Sequence, residues 1–294
     1  MKLEHIAKRF RIDHPARFRL ADHDAAECCG LSIDKGDAKK MLADGIERLE
    51  ELQQKLYASD RWAVLIVLQG MDAAGKDSLI KHVMSGVNPQ GVEVHAFKQP
   101  SVEELQHDFL WRVGKKLPAR GRIGIFNRSH YEEVLTVRIH QEWLERQNLP
   151  KQLVGKDIWR QRFDDIGVFE RHLVRNGTVI LKFFLNVSEQ EQRKRFLERV
   201  DEPSKRWKFS MDDVAERKLW PKYMAAYEDM IRNTSTPEAP WYVLPADNKW
   251  FTRLAAAAAL VEALDRLKLA YPKLTGAALK ELEQAGKALK AEKG

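Results

Sequence analysis

The chain has 294 residues and a formal net charge of +7, with 44% hydrophobic and 32% charged residues, which is ordinary for a globular protein and excludes a disordered chain. Apolar runs stay well short of the roughly 20 residues that a membrane-spanning helix needs, and the first residues lack the apolar core of a signal peptide, so we expect a cytoplasmic protein with no membrane partner. The moderate positive charge suggests a polyanionic partner.

The first segment, residues 1–36, carries scattered arginines among His, Pro and Asp. We expect it to be an irregular N-terminal arm that wraps the domain or meets a partner subunit. Residues 37–57 then repeat leucine and isoleucine at helical spacing, which predicts an amphipathic helix.

An apolar run at 63–68 comes next, followed by a glycine loop and a periodic segment. Strand, glycine loop, lysine and helix is the context that a phosphate-binding P-loop requires. Two glycines five residues apart let consecutive N–H groups point at an anion, and the small Ala73 and Ala74 leave room for phosphate oxygens. The helix after Gly75 adds the positive end of its dipole, and Lys76 adds a full charge.

Two positions depart from the general P-loop pattern. Asp77 stands where a Ser or Thr usually binds magnesium, and Ser78 follows one residue late. Asp72 places a carboxylate in a loop that collects negative charge, which is costly unless a divalent cation separates it from the phosphates. We therefore assign Asp72 to Mg²⁺, and we expect phosphate or nucleotide contacts from Ala73, Ala74, Gly75, Asp77 and Ser78. A glycine-rich turn that binds nothing is the alternative.

The later segments alternate between strands and helices. Ser101 with Glu104, and Ser188 with Glu191, form caps that begin helices. Strands are predicted at 92–97, 122–126, 178–185 and 241–244, and helices at 101–116, 156–175, 189–200, 211–231, 251–269 and after 275. This alternation predicts one α/β domain over 37–272, with a central parallel sheet flanked by helices, followed by a charged helical tail at 273–294.

The strand at 122–126 ends in polar residues, where P-loop proteins usually hold magnesium with an acid. Asn127 is an amide and so a weaker metal ligand than a carboxylate. Arg128 is well placed to contact phosphate oxygens bidentately, and a structural ion pair with a nearby acid is the alternative. We interpret His130 as a lone histidine, because nothing nearby marks it as a nucleophile.

A basic run lies between the predicted helices. Seven Lys and Arg against three acids occupy 193–208, and we expect a helical basic lid at about 193–217. A solvated helix face is the alternative. This many cations exceeds what one triphosphate requires and suits a longer polyanion, whose binding would fall steeply with salt. The scarcity of acids and of an acid–base pair fits phosphoryl transfer to an acceptor that is itself a phosphate.

The chain resembles the polyphosphate kinase type 2 family over roughly residues 35–270, with five motifs in the family's order. These motifs are Gly70-Met71-Asp72-Ala73-Ala74-Gly75-Lys76-Asp77, Phe97-Lys98-Gln99-Pro100-Ser101, Phe126-Asn127-Arg128-Ser129-His130-Tyr131-Glu132, Trp207-Lys208-Phe209 and Pro240-Trp241-Tyr242-Val243-Leu244-Pro245-Ala246-Asp247. The resemblance implies a P-loop kinase fold similar to thymidylate kinase, with a helical lid. It also implies phosphoryl transfer between inorganic polyphosphate and nucleotides with Mg²⁺ or Mn²⁺, and a homo-oligomer, either a dimer or a tetramer.

Site roles carry over by position. The resemblance implies that Asp72 is the metal-linked acid, Lys76 the lysine that bridges the transferred group, and Arg128 the arginine at the strand end. It also implies that Lys98 is a loop lysine near the phosphates. The cations that line the polyphosphate channel or close the lid would be Arg193, Arg199, Lys205 and Lys208.

The acceptor class follows from two of the motifs. His130-Tyr131-Glu132 and Phe97-Lys98-Gln99-Pro100-Ser101 look like the class that accepts both AMP and ADP. From the residues alone, an ATP-dependent nucleotide kinase and a non-catalytic polyanion-binding module remain alternatives. We expect no nucleic-acid partner.

Overall fold

The computed structural model of the chain describes residues 3–30 and 35–292. Five strands form one fully parallel sheet in the order β2-β3-β1-β4-β5. They are β1 Ala63–Gln69, β2 Val92–Ala96, β3 Ile123–Asn127, β4 Thr178–Asn186 and β5 Trp241–Pro245. The predicted α/β fold with a central parallel sheet is thus confirmed.

Helices cover both faces of the sheet. They are α1 Leu3–Phe10, α2 Lys35–Ser59, α3 Lys76–Val83, α4 Val102–Leu105, α5 Trp111–Gly114, α6 Thr136–Ile139, α7 Gln141–Glu145, α8 Ile158–Arg175, α9 Glu189–Asp201, α10 Met211–Arg217, α11 Trp220–Thr234, α12 Lys249–Arg266 and α13 Ala277–Ala291. Short 3₁₀ turns include His130–Val134, directly after β3, and Pro203–Lys208, between α9 and α10. Among the described residues, no helix combines the length and the apolar character that a membrane crossing requires.

The central strand, β1, is buried at every position, as expected for an apolar run in a parallel sheet that is covered on both faces. It pairs with β3 on one side and β4 on the other, and Leu68 lies opposite Asn127 in the register. The loops that follow β1 and β3 therefore leave the sheet side by side at its carboxyl edge. This edge of open parallel sheets is where ligands usually bind.

The N-terminal segment contributes to the hydrophobic core. The prediction of an irregular arm is wrong for α1, because Ile6 and Phe10 occur one turn apart and bury one face of a helix. Phe10 packs edge-on against Phe251 of α12 with ring centroids 5.6 Å apart, and the Ile12 N–H donates to the Trp241 carbonyl at 2.9 Å. Residues 31–34 of the predicted arm lie outside the described residues, and the boundary at 36 stays a prediction.

Two predicted helices are each divided into two. The helix expected from Ser101 to 116 has its capping box but is interrupted after α4, where the Asp108 side chain accepts the Leu110 N–H and competes with helical bonding. The helix expected over 211–231 separates into α10 and α11. Pro221 lies in the first turn of α11, where its missing N–H has no cost.

The basic region and the tail differ in their packing. Ser188 caps α9 by accepting the Glu191 N–H at 3.1 Å, as predicted, and the basic run continues through α9, the 3₁₀ turn and α10. The tail forms α13, which has no buried residue among those described. The lid at 193–217 and the domain limits at 272 and 273 stay predictions.

Candidate active site

The loop between β1 and α3 is a tight turn that only glycine fits at two positions. Gly70 has φ 151° and Gly75 has φ 112°, and a Cβ at Gly70 would lie 2.9 Å from the carbonyl oxygen of Leu185. Because α3 begins at Lys76, the positive end of its dipole faces this loop. The loop thus has the geometry of an anion-binding site at a helix N-terminus.

The Lys76 side chain folds back over the loop and is only 9% exposed. Its ammonium donates to the carbonyl oxygens of Gly70 at 2.6 Å and Met71 at 3.2 Å. Burial lowers the pKa of Lys76, and the nearby Asp72 carboxylate partly offsets that effect. The structure therefore places the lysine cation in the curve of the P-loop.

An ion pair joins the P-loop to the end of β3. Arg128 Nη2 donates to Asp72 Oδ1 at 2.5 Å. Burial alone would raise the pKa of Asp72, but the charges of Lys76 and Arg128 outweigh it and hold the pKa below its ordinary value. The Glu132 carboxylate, with Asp72, raises the pKa of Arg128. The structural ion pair that we considered as an alternative role for Arg128 is thus present.

Two further bonds order the first turn of α3. Asn127 Nδ2 donates to Asp77 Oδ1 at 2.6 Å, so this amide presents its nitrogen to the carboxylate that replaces the usual hydroxyl. Arg253 on α12 donates from Nη2 to Ser78 Oγ at 3.0 Å. Both polar positions after Lys76 are therefore held by neighbouring elements.

Arg195 holds the P-loop from the lid side, a position that our sequence analysis missed. Its Nη1 donates to the carbonyl oxygens of Ala73 (3.0 Å) and Ala74 (2.8 Å), and its Nη2 to that of Ala246 (2.6 Å). Gln192, one turn earlier on α9, donates to the Asp72 carbonyl oxygen at 2.9 Å. These contacts satisfy loop carbonyls, which leaves the N–H side of the loop for an anion.

Helical spacing is the signal that could have separated Arg195 from the other cations of the basic run. Gln192, Arg195 and Phe196 form the buried face of α9, whereas Arg193 is exposed. A run of charge in the sequence does not show which of its members face inward. That selection depends on where α9 packs.

The remaining predicted lid cations occupy different surroundings. Arg199 donates to Asp213 of α10 at 2.7 Å, and its charge also helps to lower the pKa of Asp72, so it lies on the site side of the lid. Lys205 pairs with Glu202 at 2.8 Å, and Lys208 Nζ lies 5.0 Å from the centre of the Trp207 ring. The structure thus brings Arg199 towards the P-loop.

A cavity opens beside the ion pair, at the carboxyl ends of β2 and β3. Ligands of open parallel sheets usually bind at this edge. Arg112 forms part of the cavity wall, where its guanidinium lies 5.2 Å from the centre of the Phe97 ring and donates to the Lys98 carbonyl oxygen at 2.9 Å. The wall combines aromatic and basic side chains, including Phe97, Lys98, Phe109, Arg128 and Trp143.

The site combines cations with acids: Lys76, Arg128 and Arg199 lie near Asp72 and Glu132. Among the described residues there is no group of three or more His, Cys, Asp or Glu that could hold a metal ion by itself. Such a site can neutralise and orient phosphate groups, which is the main requirement of phosphoryl transfer.

A profile of the family described as Polyphosphate kinase 2 matches residues 32–271 of the chain. The chain belongs to the polyphosphate kinase 2 family. The recognition made from the motifs is confirmed, and the protein is an enzyme that transfers phosphoryl groups, so the non-catalytic alternative is set aside.

Relatives and a solved structure agree with this membership. An ADP-polyphosphate phosphotransferase of Rhodopseudomonas palustris is 53% identical over 246 residues, which cover 83% of this chain and 85% of that protein. An AMP/ADP-polyphosphate phosphotransferase of Meiothermus ruber is 46% identical over 265 residues, covering 90% and 95%. The crystal structure of polyphosphate kinase 2 from Arthrobacter aurescens superposes with a TM-score of 0.87 at 40% identity and covers 96% of both chains.

Proposed function

We propose that this polyphosphate kinase 2 transfers the terminal phosphoryl group of inorganic polyphosphate to ADP, forming ATP, and to AMP, forming ADP. The observation that carries the proposal is the position of Arg128, which lines the cavity and also pairs with Asp72 of the P-loop. An acceptor phosphate in the cavity would therefore lie next to a donor phosphate on the loop.

The two substrates fit different sides of this pair. The cationic lid with Arg199 suits the repeating charge of polyphosphate, whereas the cavity, with aromatic rings beside Arg128 and Lys98, suits a nucleoside phosphate. In transfer, an acceptor oxygen forms a bond to the terminal phosphorus while the bond to the rest of the polyphosphate breaks. Lys76 and Arg128 would neutralise the charge on the oxygens of the moving group.

The donor set fits a divalent cation. Mg²⁺ usually takes one or two carboxylates and completes its coordination with water and substrate phosphates. Asp72 and Asp77 offer two carboxylates at the P-loop, and Asp72 is ionised across the neutral range because its pKa is lowered. We assign Asp72 as the principal ligand of Mg²⁺ or Mn²⁺ and Asn127 as a weak one, and the ion would neutralise phosphate charge there.

Several finer assignments stay predictions. The acceptance of AMP as well as ADP is supported by the similarity to the Meiothermus ruber protein, whereas the Rhodopseudomonas palustris protein is named for ADP alone. The phosphate or nucleotide roles of Ala73, Ala74, Gly75, Asp77, Ser78 and Lys98, a cytoplasmic location and a homo-oligomer are likewise predictions.

The first experiment measures ATP and ADP formation from polyphosphate and Mg²⁺ with ADP and AMP as separate acceptors. We expect ATP from ADP and ADP from AMP, with loss of activity when EDTA removes the metal. Asp72→Asn and Lys76→Met should each reduce kcat by about 10²–10³-fold, the usual cost of one group that stabilises transferring charge.

Lys81→Met is the matched control, because Lys81 is exposed on the same helix. If only ADP is phosphorylated, the transfer from polyphosphate to ADP is supported and the transfer to AMP is rejected. Turnover with ATP but not with polyphosphate as donor would indicate an ATP-dependent nucleotide kinase. Near wild-type activity of Lys76→Met would show that transfer occurs elsewhere.

A further inference from the structure

A fully buried lysine on β4 takes no part in the site described above. The Lys182 ammonium donates to Glu170 Oε2 at 2.5 Å, to the Thr234 carbonyl oxygen at 2.7 Å and to Tyr131 Oη at 3.0 Å. Lys182 is 0% exposed and Glu170, on α8, is 3% exposed. A lysine is almost never buried to this extent unless it is paired, and here each of its three N–H groups has an acceptor.

Stability does not by itself explain a charge at this position. Replacing a buried ion pair with apolar residues of similar volume is often neutral or stabilising, because the cost of desolvating two charges is large. The neighbours of Lys182 along β4 are apolar and equally buried. The Lys182–Glu170 pair therefore requires a functional explanation, and the other side chains that contact the pair indicate what its function is.

The pair connects to the turn that follows Arg128. Tyr131 Oη donates to Glu170 Oε1 at 2.7 Å, and His130 Nε2 lies 3.4 Å from the same oxygen. Burial, together with the Glu170 carboxylate, raises the pKa of Tyr131, so the hydroxyl stays protonated and can donate. Two consecutive side chains of the turn thus end on one buried carboxylate.

Arg128 itself has an unfavourable backbone conformation. Its φ is 62°, in the left-handed region that non-glycine residues adopt only when the surroundings enforce it. On one side its N–H donates to the Leu68 carbonyl oxygen of β1 at 3.1 Å. On the other side, Ser129 Oγ accepts the N–H of Tyr131 at 3.2 Å, which ties the backbone to the residue held by Glu170.

We propose that Lys182, Glu170 and Tyr131 form a positioning network that holds Arg128 in its strained conformation, with its guanidinium between the P-loop and the cavity. The inference rests on the proposed function, in which Arg128 contacts the transferring phosphate. A misplacement of about 1 Å can cost up to 100-fold in rate, so a network remote from the phosphates can matter for turnover.

The test is a double-mutant cycle between Tyr131→Phe and Arg128→Lys, with kcat and KM measured for each variant. Tyr131→Phe removes the hydroxyl but keeps the ring that packs edge-on against Trp241 at 4.9 Å. We expect Tyr131→Phe to lower kcat roughly tenfold when Arg128 is present and less than twofold in the Arg128→Lys background. Losses that multiply in the double mutant would overturn the proposal, since a merely structural defect lowers both backgrounds alike.

Two further variants make the result independent of folding defects. Lys182→Met combined with Glu170→Leu and Tyr131→Phe removes both charges together with the hydroxyl that they bind, so no charge of the network is left buried and unpaired. This variant should fold, yet show the same kcat loss and the same dependence on Arg128. Full activity of this variant would contradict the proposal. Tyr242→Phe, which alters a buried tyrosine on β5, is the matched control and should leave kcat unchanged.

A readout without turnover separates this inference from the proposed function. If the wild-type enzyme makes no ATP from polyphosphate, the proposed function fails, and the same cycle is then measured on the Kd for ADP by calorimetry. Coupling between Tyr131→Phe and Arg128→Lys in Kd would support the positioning network, and additive effects would overturn it.

Discussion

The surroundings of two neighbouring P-loop residues act on their charges in opposite ways. Lys76 is buried, which disfavours its charge, while Asp72 beside it is held ionised by Lys76 and Arg128. Sequence reasoning selected these three residues, because a glycine loop and a strand end mark them locally. It did not select Arg195, whose contacts with loop carbonyls depend on the packing of α9.

The lowered pKa of Lys76 predicts an alkaline limb in the pH profile of kcat/KM, which reports ionisations of the free enzyme. Because the ammonium is the active form, activity should fall as pH rises through the lowered pKa, below the ordinary lysine value of about 10.4. Arginine stays charged throughout, so the residual activity of Lys76→Arg should lack this limb. An identical limb in Lys76→Arg would assign the titration to another group.

At the scale of elements, strands and caps followed from local pattern, whereas short helices did not. The apolar runs of β1 and β4 and the Ser188 cap are encoded by adjacent residues. The four-residue α4 and α5 are too short for a 3.6-residue period to be read. The basic run at 193–208 combines both cases, since its charge was evident from the sequence but the residues that face inward were not.

The lid should control affinity for polyphosphate. Arg199→Gln is expected to raise the KM for polyphosphate roughly tenfold, the usual effect of one charge-assisted contact, without a similar change in the KM for ADP. The slope of log KM against log salt concentration should become shallower by about one for each lid cation removed, and Lys208→Gln tests the same expectation at an exposed position.

Lys268→Gln is the control for this series. It removes one exposed positive charge just beyond the C-terminal end of α12. The opposite end of this helix, at Lys249, is the end that lies near Arg195 of the predicted lid, so Lys268 is remote from the lid. A salt slope that changes equally in Lys268→Gln would mean that net charge, and not the lid, controls binding.

At the scale of the whole molecule, the two ends of the chain contribute unequally. The N-terminal helix α1 buries Ile6 and Phe10 against the core, whereas α13 exposes Leu282 and Leu289. Both segments were predicted to lie outside the main domain. For α1, the contacts with α12 and β5 join it to the core.

This difference predicts unequal effects on stability. Phe10→Ala should lower the free energy of unfolding by about 3–5 kcal/mol, the usual cost of removing a buried aromatic ring. Leu289→Ala, at an exposed position, should change it by less than about 0.5 kcal/mol. Urea unfolding of both variants measures the difference, and a small effect of Phe10→Ala would show that α1 is not part of the cooperative unit.

The sequence by itself determined the strand–loop–helix of the P-loop, the polar end of β3 and the basic run at 193–208, because each depends on residues that are neighbours along the chain. The tertiary structure decided what lies between them: the pairing of Asp72 with Arg128, the inward face of α9 and the Lys182–Glu170 pair under the site. These contacts join residues from 12 to 122 positions apart. Only the order of strands in the sheet and the packing of helices on it bring such residues together.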